Sequence, residues 1–571
     1  MSPLGASDSP ARAPASPAQA SGGRFGRGAE PPSEQRLASA FIAVALVALF
    51  GGVVTGALQA LEHAGVNLYP WVAPLIKSYY HGLSLHGVLN VLVWTTFFIC
   101  GFLPFIAARA LATPLASPKL GWLTFWLMTA GLVLAAVPLV GNAATVMFTF
   151  YPPLRAHWAF YVGLTLVVAG TWLVTLNLAL TWRAWRAANP GTRTPLAAFM
   201  SVVTFAMWTI ASLGLAAEML FLLIPWSLGW VGGTDALLAR VLFWFTGHPI
   251  VYFWLLPAYV SWYTLVPRQA GGKLFSDPLA RTSFILFLVL STPLGFHHQY
   301  TDPGIHEGWK LVHAFLTFAV FFPSLLTFFN VVASLESGAR ARGGTGWVAW
   351  VRRLPWGDPS VAAQVLAMFL FTFGGVGGLI NASYNLNLIV HNTAWIPGHL
   401  HLTVGTAVTL SFMGITYWLV PYLRGRALWS RPLALAQVWL WFVGMTIFSH
   451  AMHRLGMLGA PRRTMLGAAT YVQPGWKLLM SLVGIGGTIL FLSSLLYFLN
   501  IVLTLVASRG PAPAVPEFAE ALSGPEHAPA VLDRWRPWIV LAFVLIAVAY
   551  GPTLVRLAAT TPLTTPGLRV W

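Results

Sequence analysis

Charged residues are scarce in this chain. Asp, Glu, Lys and Arg make up 8% of its 571 residues, against about 25% in ordinary soluble domains. That shortage excludes a soluble enzyme, a disordered chain and a nucleic-acid-binding protein. Cysteine is almost absent as well. Cys100 stands alone inside an apolar run, so the chain can form neither an intrachain disulfide nor a paired-thiolate metal site, and any thiolate-bound metal centre belongs to another subunit. Acidic residues are few, 15 against 32 Lys and Arg, which leaves a formal charge of +17. What is abundant is apolar: 57% of the residues are hydrophobic. The composition is that of an integral membrane protein.

Residues 1–36, rich in Ala, Ser, Pro and Gly, are expected to form a flexible cytoplasmic tail. The run 37–60 is too long for a signal-peptide core and lies too far from the N-terminus, so it reads as an uncleaved span. Apolar runs long enough to cross a bilayer follow near 82–110, 120–140, 157–181, 196–225, 236–266, 279–301, 309–335, 361–384, 391–422, 432–457, 476–507 and 535–559. The expected architecture is therefore an all-α integral membrane bundle of about thirteen helices. It divides into a twelve-helix core over 37–507, a polar linker over 508–534, and one added membrane helix within 535–571. With the N-terminus inside, 22 of the 32 Lys and Arg fall on the inner side, as cytoplasmic loops require. The C-terminus is then outside. One outer loop breaks the rule by clustering Arg454, Arg462, Arg463 and Lys477, and such a cluster calls for an anionic partner.

Several of the fifteen histidines lie inside these runs. An ionisable residue in a span is costly and marks a functional site by default, although a single buried His serves a helix–helix hydrogen bond equally well. The constellation decides between them. His86 falls at the outer start of the second helix and His248 roughly 18 Å along the sixth. His297 and His298 fall at the outer end of the seventh, and His399 and His401 roughly 12 to 15 Å into the tenth. Six histidines on four helices share the outer half of the bilayer. At about 100° per residue His399 and His401 point about 200° apart, so one helix can ligate two different cofactors. His297 and His298 diverge in a regular helix, but Pro293 and Gly295 loosen the geometry enough for both to face one metal together with His248. Three neutral imidazoles suit copper, iron or zinc and leave a position open for substrate. His86 and His401 are left for a six-coordinate haem, and His399 for a five-coordinate haem with an open face.

From about residue 37 to 505 the sequence resembles subunit I of the haem-copper oxidases. The resemblance is carried by LSLHGVLN around His86, WFTGHPIVYFWLLPAY around His248, STPLGFHHQ around His297 and His298, and HNTAWIPGHLHL around His399 and His401. It resembles the B-family, or ba-type, cytochrome c oxidases, and not the mitochondrial-like A-family. The A-family has a Glu where this chain has Ile250, and that Glu ends a proton channel this chain then lacks.

The resemblance implies a low-spin haem, taken as haem b, on His86 and His401, and a high-spin haem, taken as a-type, on His399. It assigns the copper CuB to His248, His297 and His298, and makes Tyr252 the catalytic tyrosine cross-linked to His248. Tyr259, Tyr263, Ser324 and Thr327 resemble the single proton pathway of the B-family. His391 and Asp302 would lie by the high-spin haem propionates, and Arg462 and Arg463 would meet propionate carboxylates. Asn387 departs from the family, which usually has an Asp there, so an acidic propionate partner is lost. The implied activity is reduction of O2 to water in a respiratory chain, with electrons from cytochrome c and coupled proton transport. The implied partners are a subunit II carrying CuA, cytochrome c, a small single-helix subunit and membrane lipid, in a bacterial or archaeal cell membrane. A nitric oxide reductase of the same superfamily is the alternative within this class, and Glu218 is the one acid found deep in a span. A secondary transporter without redox centres is the alternative outside it.

Overall fold

A computed structural model describes residues 33–560 and 563–570. Most of the expected N-terminal tail lies outside the described residues; the part that is described, from Ser33, is already helical. Twelve helices among the described residues are long and apolar enough to cross a membrane: α1 Ser33–His63, α2 Tyr79–Leu111, α3 Pro118–Val140, α4 Trp158–Ala188, α5 Leu196–Ser227, α6 Ala236–Thr264, and, beyond the shorter α7, α8 Glu307–Ala341, α9 Pro359–Ala382, α10 Trp395–Arg424, α11 Arg431–Met457, α12 Pro474–Val506 and α13 Trp535–Thr560.

The seventh expected span, 279–301, is only partly helical. Helix α7 covers Asp277–Leu290, about 21 Å of rise, and stops short because Pro293 offers no N–H to continue the ladder. The chain then makes a short 3-10 turn at Phe296–His298. Two adjacent histidines are thus carried on a turn rather than a helix.

Polar caps start many of these helices where the sequence changes from loop to apolar run. Ser117, Asp235, Ser276, Asp358 and Ser430 each accept a hydrogen bond from a backbone N–H of the first turn, which satisfies donors that would otherwise be orphaned at the end of an apolar helix. Large side chains such as Val133, Phe369, Phe373 and Leu492 remain on the outside of the bundle, as expected of helices solvated by lipid.

Four helices contain a wide π-type turn or a break. The turns lie at Val88–Trp94 in α2, Met219–Leu223 in α5 and Thr403–Val408 in α10. Helix α6 is interrupted at His248, between Gly247 and Pro249. Such irregularities commonly mark functional positions; those in α2, α6 and α10 follow or coincide with His86, His248, His399 and His401, while the one in α5 follows Glu218.

The segment before α13 is docked against the rest of the chain. Strand β1 (Leu274–Ser276) pairs in parallel with β2 (Ala521–Ser523). Buried Arg281 bonds Asp277 at 2.5 Å and Asp533 at 3.3 Å, and Arg193 also pairs with Asp533. A buried guanidinium needs this compensation, since removing one partner strands a charge.

Candidate functional site

The break in α6 turns His248 toward the turn that follows α7. His248 Nδ1 lies 3.1 Å from His298 Nε2, and its other nitrogen, Nε2, lies 2.9 Å from the Tyr252 hydroxyl. One ligand atom from each of His248, His297 and His298 falls within 4.8 Å of the others. The spacing of four residues between His248 and Tyr252 places both on one helix face. The 3-10 turn lets the adjacent His297 and His298 converge, with rings 4.1 Å apart at 42°.

Neighbours hold these rings. The indole of Trp244 stacks on His298 at 3.8 Å and 6°. The Thr317 hydroxyl donates its one hydrogen to the His313 carbonyl at 2.6 Å, so it accepts from His297 Nδ1–H at 3.0 Å. That fixes the tautomer and leaves His297 Nε2 as the free lone pair, the usual duty of an outer hydrogen bond to a ligand. Three neutral imidazoles at this separation can hold one copper, iron or zinc ion.

His86 and His401 are arranged differently. Their ring centres lie 6.2 Å apart with planes within 12° of parallel. His86 Nδ1–H donates to the Gly52 carbonyl at 2.8 Å, and His401 Nδ1–H to the Pro397 carbonyl at 2.7 Å, which leaves both Nε2 atoms available. Glycine makes the approach of α1 possible: a Cβ at Gly56 would sit 2.7 Å from the His86 ring. His399, two residues from His401, lies beside Trp395 with ring centres 5.6 Å apart and planes at 12°. A Cβ at Gly377 would come within 2.6 Å of its Nδ1.

All six histidines line one cavity of about 480 Å3, together with Tyr252, Arg462 and Arg463. Arg462 donates to Asn392 Oδ1 at 2.8 Å, and Arg463 lies over the rings of Phe148 and Tyr151. Burial, reinforced by neighbouring Arg463, pulls the Arg462 guanidinium down to about 9. Two adjacent guanidinium groups facing a common cavity form an anion site. Burial, helped by Arg462 and Arg240, holds His391 down at about 4, so it is neutral at pH 7, and its Nε2 is buried with no protein partner. Asp302 pairs with Arg240 at 2.9 Å and accepts from Gln299 at 3.0 Å. Burial raises its carboxyl above the usual range, against the pull of Arg240.

Asn387 uses its amide fully. It donates to the His297 carbonyl at 3.0 Å and to the Asn381 carbonyl at 2.8 Å, while its Oδ1 lies 3.1 Å from His391 Nδ1. An ionised Asp could make only the last of these bonds.

Below Tyr252 the hydroxyls descend α6. Tyr259 OH lies 3.5 Å from Ser324 Oγ, and Tyr263 OH donates to Thr327 Oγ1 at 2.8 Å. Ser283 of α7 lies 3.5 Å from the same Tyr263 hydroxyl and was not anticipated. Trp244, Thr317, His313 and Arg240 were missed as well. Trp244 alone had a local signal, standing one helical turn before His248 within the same motif. Glu218 is fully buried with neither carboxylate oxygen partnered, yet it does not line the histidine cavity.

Comparison with known proteins agrees with this geometry. Residues 36–489 match the family described as Cytochrome C and Quinol oxidase polypeptide I. The chain is 47% identical over 552 residues to cytochrome c oxidase subunit 1 of Thermus thermophilus, covering 94% of this chain and 97% of that protein. It is 28% identical over 448 residues to cytochrome c oxidase polypeptide 1 of Halobacterium salinarum, covering 74% of this chain and 70% of that one. Among solved structures it is similar to a chain of a haem-copper terminal oxidase dimer, with a TM-score of 0.89 and 37% identity over 95% of this chain and 96% of that chain.

Proposed function

Since this chain belongs to the cytochrome c and quinol oxidase polypeptide I family, as a multi-pass subunit I of a haem-copper oxidase, we propose that it is the catalytic subunit of a B-family terminal oxidase. It reduces O2 to water with electrons from cytochrome c, delivered through a subunit II that carries CuA, and couples this to proton translocation. The observation that carries the reading is the convergence of His248, His297 and His298 within 4.8 Å, with Tyr252 on the outer nitrogen of His248. Family membership removes the secondary-transporter reading.

The residues present fit two haems and a copper. Two metal–nitrogen bonds of about 2 Å each, added to the half-width of each ring, span the 6.2 Å between His86 and His401, so these two rings would hold a haem between them, taken as b type from the resemblance. His399 would hold the second haem, taken as a-type from the resemblance, and the triad suits CuB. When bound, these groups supply the redox steps and the open face for O2.

The chain's own residues orient and supply protons. Gly52 and Pro397 fix the rings of His86 and His401, which would hold the low-spin haem, and Thr317 fixes His297. Tyr252 holds a phenolic proton 2.9 Å from His248, where one is needed for oxygen reduction. Tyr263 with Thr327, then Tyr259 with Ser324, form the lane that refills it. Arg462 and Arg463, beside His391, Asp302 and Asn387, would hold the propionate carboxylates. The excess of Lys and Arg in the loops at one end of the bundle puts that end in the cytoplasm, so the lane opens there.

The test is the haem, copper and non-haem iron content of the purified complex. Two haems and one copper at this subunit are expected, with CuA counted separately on subunit II. Non-haem iron in place of the copper would move the chain to nitric oxide reduction.

A further inference from the structure

We propose that the C-terminal helix α13 and the segment after it are a brace for the copper-binding turn, and that His313 is the positioning residue that transmits it. The inference rests on the role assigned above to His248, His297 and His298. No residue of α13 lines the cavity, yet its backbone and side chains reach the supports of both adjacent histidines.

The first route runs to His297. His313 on α8 is fully buried. Its Nδ1 accepts from the backbone N–H of Gly295 at 3.0 Å and of Phe296 at 3.3 Å, and its Nε2–H donates to the carbonyl of Ala549 on α13 at 3.1 Å. Both nitrogens are thereby committed and the tautomer is set. The ring stacks on Phe296 at 3.9 Å and meets Tyr550 edge-on at 4.7 Å. One turn further along α8, Thr317 joins the His313 carbonyl to His297 Nδ1. The imidazole thus ties α13 to the two residues that precede His297, while the backbone carbonyl of His313 holds the hydroxyl that orients the His297 ring.

The second route runs to His298. Tyr550 donates to the Trp244 carbonyl at 3.3 Å, and the Trp244 ring is the one stacked on His298. Gly295 lies where these parts meet, since a Cβ there would fall 2.2 Å from the Tyr550 oxygen and 2.6 Å from the Trp244 carbonyl oxygen. No side chain could stand at that position without opening the turn.

The brace is anchored at its far end. Arg556 bonds the carbonyl of Gly304, just beyond the histidine turn. Thr565 pairs with Thr234 through two backbone bonds of 2.9 and 3.1 Å, and Leu568 bonds Arg155 N and Pro153 O at 2.9 and 2.7 Å. Thr234 immediately precedes the Asp235 cap of α6, the helix that carries His248. A turn that is not helical has few bonds of its own to hold two ligands, and the C-terminal segment supplies the missing ones from outside.

The experiment uses the assembled oxidase complex with His313→Phe, which keeps the ring contacts and removes both hydrogen-bond functions, and with Tyr550→Phe, which removes one hydroxyl. Copper affinity is read against a cuprous chelator, and the infrared stretch of CO transferred to copper by photolysis reports the ligand geometry. The spectrum of the low-spin haem on the same sample reports folding. His313→Phe is expected to weaken copper retention about 10-fold, the low end of the cost of losing an outer partner of a ligand, since the ring acts on the turn that carries His297 and not on the ligand itself, and to broaden or split the CO band. Tyr550→Phe is expected to broaden the band with a smaller loss of copper. Wild-type affinity and a single unshifted band in His313→Phe would overturn the proposal. If His313→Phe fails to assemble, an unmoved band in Tyr550→Phe overturns it. A wild-type complex that holds no copper would instead contradict the functional reading itself.

Discussion

The two imidazole groupings in the cavity are built on opposite plans. His86 and His401 come from separate helices, stand 6.2 Å apart and nearly parallel, and each is tied through Nδ1 to a backbone carbonyl. His248, His297 and His298 crowd within 4.8 Å, at steep mutual angles, and are held by side chains: Tyr252, Trp244 and Thr317. The pair leaves a gap that two metal–nitrogen bonds would span, whereas the triad brings its nitrogens close enough to share a single ion. The difference follows from the backbone beneath. The pair sits on α2 and α10 next to π turns, while the triad needs a helix break and a 3-10 turn. Regular helices can present rings at a distance, but bringing three to one point takes irregular backbone and therefore outside support.

The sharpest way to break this contrast is to remove one member of each group. His248→Ala should abolish copper binding and lower oxygen consumption on the order of 1,000-fold, about 4 kcal/mol of barrier, while the low-spin haem spectrum stays intact. His401→Ala should do the reverse. The low-spin spectrum is lost and turnover falls roughly 100-fold, about 3 kcal/mol, with copper retained at wild-type level by metal analysis. Loss of both centres in either variant would show that the groupings are not independent.

Smaller effects sharpen the picture. Tyr263→Phe removes the hydroxyl that donates to Thr327. It should slow turnover by about 10- to 100-fold, near the low end for a lost proton-transfer group, with haem and copper spectra unchanged in the same preparation. Asn387→Asp removes both amide donors to the carbonyls of His297 and Asn381. It should destabilise the copper turn by about 1–3 kcal/mol, the cost of stranding buried acceptors, seen as a lower temperature for copper release.

Much of the site was legible because histidine depth and helical angle are local properties. The opposed directions of His399 and His401 follow from two residues of separation, and the Tyr252 contact with His248 follows from four. The shortening of α7 was only half visible: Pro293 and Gly295 signalled loose geometry, but the apolar run continues past Leu290 and hides the stop. The π turns left no mark in composition. The segment 508–534 read as a polar linker, because Asp533 gives no hint that it meets Arg281 and Arg193 more than 250 residues away in sequence. Asn387 was noticed for the acid it replaces, whereas its donors to two backbone carbonyls depend on neighbours that only the fold brings close. His313 looked like any other buried histidine for the same reason.

The central claim is that one haem position is closed by two imidazoles while the other is open beside the triad. Titration of the reduced complex with CO tests it most directly. One CO per two haems, with photolysed CO captured by copper, is the predicted result. CO on both haems, or on neither, would contradict it.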